Sequence, residues 1–113
     1  MKRKSFANGM EATLTLIEGR WKILIIWNLT HRPYRFGQLK RLVTGVSEKT
    51  LIQGLKELEG DGIVYRKDFR EVPPRVEYSL TDRGKELANV LRPMCKWGAE
   101  NFKARIAPPP RRP

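Results

Sequence analysis

The chain has one cysteine, Cys95, and one histidine, His31. A lone cysteine excludes an internal disulfide and any zinc site built on cysteines, and it fits a reducing, cytosolic setting. With one histidine, one cysteine and no paired-carboxylate motif, no converging acid, base or nucleophile set is in view. An enzyme, a metal and a cofactor are therefore not expected. No apolar run approaches the roughly 18 residues of a membrane span, and the longest, Ile23 to Trp27, is core-sized. No long apolar stretch follows the basic Lys2-Arg3-Lys4, so a signal peptide is not expected. Acid is scarce: 12 Asp and Glu stand against 23 Lys and Arg, for a net charge of +11 in 113 residues. A chain of this size forms one domain with tails, and its charge points to a polyanionic partner, nucleic acid or an acidic membrane surface.

The charge is uneven. Residues 1–4 and 103–113 contribute seven basic residues and no acid, which leaves 16 basic and 12 acidic residues for the body. Within the body, residues 32–56 hold Arg32, Arg35, Lys40, Arg41, Lys49 and Lys56 against Glu48 alone. Residues 57–82 reverse this balance, with seven acids against four bases. A basic segment inside the fold marks a docking face better than basic ends do. The expected organisation is a basic N-terminal tail (1–8), a folded domain with a C-terminal helix (9–103) and a Pro/Arg-rich disordered tail (104–113). Proline fixes φ and lacks a donor, so the run from Pro108 to Pro110 cannot be helix or sheet.

Hydrophobic spacing gives the order α-α-α-α-β-β-α, a mainly helical fold with one small hairpin. Met10, Leu14 and Ile17 are spaced for one helix face, with Gly19 as the stop. Arg20 to Leu29 is apolar almost all round, which favours a buried helix over a strand. Phe36, Leu39 and Leu42 give a short third helix that ends near Gly45. Ser47, a strong N-cap, opens a fourth with Leu51, Leu55 and Leu58 on one side. The period then changes to two on both sides of Val72-Pro73-Pro74, which predicts a hairpin over 64–80 with Arg70 and Arg75 around its tip. Thr81 or Asp82 caps a last helix with Leu87, Val90, Leu91, Met94 and Trp97 along one side. Pro93 is expected to interrupt and kink it near Leu91.

Helices 36–43 and 47–59, joined by Thr44-Gly45-Val46, have the spacing of a helix-turn-helix. With the leucines inward, Ser47, Lys49, Thr50 and Gln53 face outward near the N-terminal end, and Lys56 follows a turn later. A major groove admits one helix, in which Lys can donate to guanine and Gln can pair with adenine. Arg66, Lys67, Arg70 and Arg75 on the hairpin, a wing, can reach phosphates or a minor groove. Arg35, just before the third helix, suits a phosphate clamp beside free N–H groups. Gly54 costs about 1 kcal/mol against Ala inside a helix, so it marks a close approach, either to a groove wall or to a neighbouring helix. The plain alternative is a helical corner with a solvated basic face. The coincidence of a polar outward face, a glycine turn and a basic hairpin favours double-stranded DNA.

The sequence resembles the HxlR-type winged-helix regulators of bacteria and archaea. The stretches that carry the resemblance are Leu16 to Trp21, Arg35 to Leu39, Val46 to Glu59, Gly62 to Arg66, Pro73 to Thr81, Gly84 to Leu87 and Trp97-Gly98. They lie in order over roughly residues 9–98. The resemblance implies a cytoplasmic, nucleoid-associated prokaryotic transcription regulator that binds a palindromic operator as a homodimer. It also implies a dimer interface between first and last helices, which places Met10, Leu14, Ile17, Leu91, Met94 and Trp97 there. Many members sense oxidants or aldehydes through a Cys-Pro at the start of the first helix. Asn8 and Gly9 stand at those positions here, so that sensor is absent and any small-molecule effector is unidentified.

Other residues read more plainly. Cys95, on a helix rich in Leu and Met, reads as a small buried hydrophobe rather than a switch, although it could cross-link two subunits. Trp21, Trp27 and Trp97 read as core packing. An effector pocket, if present, belongs between the first, second and last helices at the dimer interface. His31 reads as a helix-terminus cation or a surface residue. The competing functional reading is a winged helix used for non-specific nucleic-acid or protein contact.

Overall fold

A computed structural model describes residues 5–106. The chain runs α1 (Gly9–Ile17), α2 (Arg20–Leu29), α3 (Phe36–Leu42), α4 (Glu48–Gly60), β1 (Val64–Asp68), β2 (Val76–Leu80) and α5 (Asp82–Asn101), then a 3-10 turn over Lys103–Arg105. This is the order expected from the periodicities. The turn runs past residue 104, where the disordered tail was expected to begin, and residues 1–4 and 107–113 lie outside the described part.

Local polar chemistry sets where helices begin. Asn8 Oδ1 accepts the Glu11 N–H at 2.8 Å and Glu11 Oε2 accepts the Ala7 N–H at 3.1 Å, a reciprocal cap on α1. Ser47 Oγ accepts the Thr50 N–H at 3.1 Å at the start of α4. Thr81 Oγ1 accepts the Gly84 N–H at 3.0 Å and donates to the Gly62 carbonyl at 2.6 Å, so one hydroxyl starts α5 and ties it to the turn before β1. Gly45, between α3 and α4, has φ +88°, a left-handed conformation that glycine adopts without penalty.

The core lies where α2, α3 and α4 meet the hairpin. Ile25, Ile26, Leu39, Leu51, Leu55, Leu58 and Ile63 are fully buried. The all-round apolar character of α2 follows from this central position. Gly54 is buried on α4, and a Cβ there would lie 3.2 Å from Ile25 Cδ1. The close approach it permits is therefore to α2, which resolves the two alternatives left by the sequence.

Strands β1 and β2 pair antiparallel from Val64↔Leu80 to Asp68↔Val76. Tyr34 adds a single-residue bridge to β2 from outside the hairpin, which the sequence pattern does not announce. Its N–H donates to the Tyr78 carbonyl at 3.0 Å, and the Tyr78 N–H donates back at 2.8 Å. Tyr34 is wholly buried, with the Arg32 guanidinium 4.5 Å from its ring centre.

Three expectations about α5 need correction. The helix continues through Pro93 to Asn101 rather than being interrupted. A proline removes one i→i−4 bond, here the one to the Asn89 carbonyl, and Asn89 is exposed, so water can serve the freed group. Cys95 is exposed rather than buried, and Trp97 is 61% exposed rather than packed in the core. The cause is common to both: only Gly84, Ala88 and Leu91 of α5 are buried, so its second half leaves the body of the chain. Trp21 packs half-buried against the core, and Trp27 meets His31 edge-on at 6.3 Å between ring centres.

Candidate nucleic-acid interface

The apolar stripe of α4 is spent on the core, which fixes the direction of everything else on that helix. Ser47, Lys49, Thr50, Gln53 and Lys56 are all exposed. Ile52 joins them at 38% exposure, an apolar side chain among polar ones that the sequence reading passed over. Its signal was available: Ile52 sits one position past the inward Leu51 and off the leucine stripe. An exposed aliphatic group on such a face suits the methyl of thymine.

The polar residues of this face are partly pre-engaged. Ser47 Oγ is the helix cap and also donates to Thr50 Oγ1 at 2.9 Å. Gln53 Nε2 donates one hydrogen to Glu57 Oε2 at 3.1 Å. Glu57 Oε1 lies 2.7 Å from Nζ of Lys22, a lysine of α2 that is only 9% exposed. The Lys22 ammonium, and after it the Gln53 amide, hold the Glu57 carboxyl below its ordinary value. A chain of two contacts thus leads from the core side of α2 to the amide of Gln53. The second amide hydrogen and Oε1 of Gln53 remain for an adenine edge, which asks for one donor and one acceptor.

Helix and hairpin share one surface. Glu48, Ile52, Lys56 and Glu59 of α4 line a depression with Phe36, Arg66 and Tyr78, so bases and acids alternate there. Arg66, Lys67 and Arg70 are exposed, and Arg70 sits at the tip with φ +54° and its N–H bonded to Asp68 Oδ1 at 2.9 Å. Arg75 differs from them. Its guanidinium lies 3.1 Å from Glu77 and 3.7 Å from Glu71 and stacks 3.9 Å from the Phe69 ring centre. These contacts brace the wing and already engage part of the Arg75 guanidinium. Arg35 is exposed at the start of α3, where its own N–H donates to Gln38 Oε1 at 2.9 Å.

The residues assigned to subunit contact separate into two groups. Ile17 and Leu91 belong to this chain's own core. Met10, Leu14, Met94 and Trp97 are more than half exposed, and Met10, Leu14 and Met94 line one shallow depression between α1 and α5.

A glycine-turned helix pair, a second helix with an outward polar face and a basic hairpin packed beside it define a winged helix-turn-helix DNA-binding regulator. The chain belongs to the HxlR-like helix-turn-helix family, whose sequence profile matches residues 16–106. It is 43% identical over 102 residues to the HTH-type transcriptional regulator YtcD of Bacillus subtilis, covering 90% of this chain and 81% of that one. A transcriptional regulator of Halalkalibacterium halodurans is 50% identical over 90 residues, covering 79% and 80%. The crystal structure of YtcD superposes with a TM-score of 0.80 at 42% identity, covering 85% of this chain and 98% of that one. The redox regulator HypR in its reduced form superposes with a TM-score of 0.81 at 36% identity, covering 86% and 96%. These relatives are regulators rather than enzymes, in line with the lack of catalytic motifs.

Proposed function

We propose that this chain binds an inverted-repeat operator as a homodimer, with α4 in the major groove and the hairpin on the flanking backbone or minor groove. The observation that carries this reading is α4 itself. One face is locked into the core by Leu51, Leu55 and Leu58, and the opposite face exposes Lys49, Thr50, Gln53, Lys56 and Ile52. A recognition helix needs both, since base reading requires side chains held in a fixed register. In this reading Lys49, Thr50 and Gln53 meet base edges, and Ile52 meets a thymine methyl. Arg35, Lys56, Arg66, Lys67 and Arg70 meet phosphates, and Ser47 acts as the helix cap. Dimerisation is supported by the exposed apolar set Met10, Leu14, Met94 and Trp97 on α1 and α5, and a two-fold dimer sets its recognition helices about 34 Å apart. The site of action is the DNA of a prokaryotic cytoplasm, with residues 9–103 as the binding unit and basic ends adding charge.

Selection of bound duplexes from a random pool, with salt dependence recorded, tests this. The expected product is an inverted repeat with half-sites about one helical turn apart. Gln53→Ala is expected to cost about 1–3 kcal/mol on it and relax choice at one base pair. Recovery of no motif, or an equal loss on all sequences, refutes base reading and favours a non-specific contact module. Removing residues 1–4 and 107–113 is expected to lower affinity while operator preference survives.

A further inference from the structure

A second cationic site lies away from the recognition helix. The end of α2, the end of β2 and the first half of α5 enclose a cleft of about 540 Å³. Its walls carry Arg32, Lys85 and Arg92, together with His31, Thr30, Ser79 and Asn89. Among the described residues no carboxylate lines it, although α5 carries Asp82 and Glu86 beside it in sequence. Lys85, Asn89 and Arg92 follow one another at i, i+4 and i+7, so α5 offers them along a single face. Among the described residues neither Lys85, Arg92 nor Arg32 has an acidic partner. Arg32 rests on the Tyr34 ring, and Arg92 Nε donates to Asn89 Oδ1 at 3.3 Å. The floor is apolar, made by Leu29, Leu80 and Ala88.

Three cations without an acidic partner around one concavity make it locally positive and leave their donors open to an anion. The apolar floor beneath them adds a place for carbon. We propose that this cleft binds a small organic anion, one that carries a phosphate or carboxylate for Arg32, Lys85 and Arg92 and an apolar part for Leu29, Leu80 and Ala88. It is not a continuation of the DNA face. The cleft sits at the Ser79–Leu80 end of β2, whereas the wing tip is at the other end, and four steps of strand separate Val76 from Leu80 by about 14 Å. The site draws on α2 and β2 of the DNA-binding unit and on α5. A bound anion thus bridges the winged helix to the helix that projects beyond it. The anion binds the free protein, whichever way operators are read.

Phenyl phosphate is a suitable probe, with inorganic phosphate as the comparison and sodium chloride at matched ionic strength as the control. Amide resonances of the full chain are followed by NMR during titration. The expected result is saturable shifts confined to Thr30–Arg32, Ser79–Leu80 and Lys85–Arg92, with phenyl phosphate binding more tightly than phosphate. The double variant Lys85→Gln/Arg92→Gln is expected to weaken binding about tenfold or more, since two charge-assisted hydrogen bonds are lost. Arg32→Gln gives an independent reading should the double variant fold poorly. Shifts that do not saturate, or that spread equally over Lys49–Lys56 and Arg66–Arg70, overturn the proposal. So does equal binding of the two probes. Random duplex supplies the last arm: unchanged affinity in the double variant supports a separate site. A loss as large as that of Lys49→Ala identifies the cleft as a DNA-backbone contact and overturns it.

Discussion

Gly84 and Gly98 both lie inside α5, and helix propensity alone treats them alike: either change to Ala gains about 1 kcal/mol. Their surroundings separate them. A Cβ at Gly98 meets nothing within 4 Å. A Cβ at Gly84 lands on the Ile63 carbonyl oxygen, with Leu80 Cδ2 at 3.1 Å. That carbonyl is a backbone group that cannot rotate aside, and it accepts the Thr81 N–H at 3.1 Å. Moving it also disturbs the Thr81 hydroxyl, bonded at 2.6 Å to the neighbouring Gly62 carbonyl. Overpacking costs about 1–3 kcal/mol and each strained hydrogen bond about 1 kcal/mol, against the 1 kcal/mol gained in propensity, so Gly84→Ala is expected to lose about 2–4 kcal/mol. At about 4–5 °C per kcal/mol for a domain of this length, the melting midpoint falls by about 10–20 °C. Gly98→Ala is expected to raise it by a few degrees. Thermal unfolding followed by circular dichroism at fixed protein concentration measures both. Equal shifts of the two variants in the same direction would refute the claim that α5 is seated on the Gly62–Ile63 turn by backbone contact.

Three further outcomes follow from the polar contacts and the exposed apolar face. Glu57 is held below its ordinary value, so its stabilising contribution is present above the usual carboxylate range and fades as pH falls through the lowered value. Glu57→Gln should flatten the acid limb of a stability–pH curve and cost about 1 kcal/mol near neutrality, a figure kept small because the carboxylate side is 42% exposed; an unaltered acid limb refutes the pairing with Lys22. Arg66→Gln should reduce the slope of log affinity against log salt by about 1 on any duplex, whereas Arg75→Gln should instead lower thermal stability by loosening the wing. Met94→Glu with Trp97→Asp should yield a monomer by sedimentation and a large loss of operator affinity, with the fold retained because both side chains are exposed; a dimer that persists places the interface elsewhere.

Wherever a feature repeats, the sequence reveals it. The leucines of α4, the alternation on each side of Val72-Pro73-Pro74 and the caps Ser47 and Thr81 sufficed for element order, and with it for the outward face of α4. Single-residue features have no period. Tyr34 joins the sheet through one rung, so nothing in the pattern around Pro33 announces a strand. Ion pairing hides for a different reason: Arg75 reads as a free base until the hairpin bends Glu71 and Glu77 toward it. Cys95 and Trp97 show the third limit. An apolar stripe reports that a helix face wants cover, but not whether its own chain supplies it, and here α5 outruns the body.

The Tyr34–Tyr78 rung also bears on how the molecule opens. It clasps the strap between α2 and α3 to the strand that carries the wing, through two reciprocal hydrogen bonds around a wholly buried ring. Unzipping the hairpin from that side therefore drags the entrance of α3 with it, and releasing α3 exposes the middle of β2. The amides of Tyr34, Tyr78 and Leu39 should then exchange with solvent deuterium as one cooperative unit rather than as hairpin and helix separately. The entrance of the helix-turn-helix and the wing are thus coupled in their fluctuations before any duplex arrives.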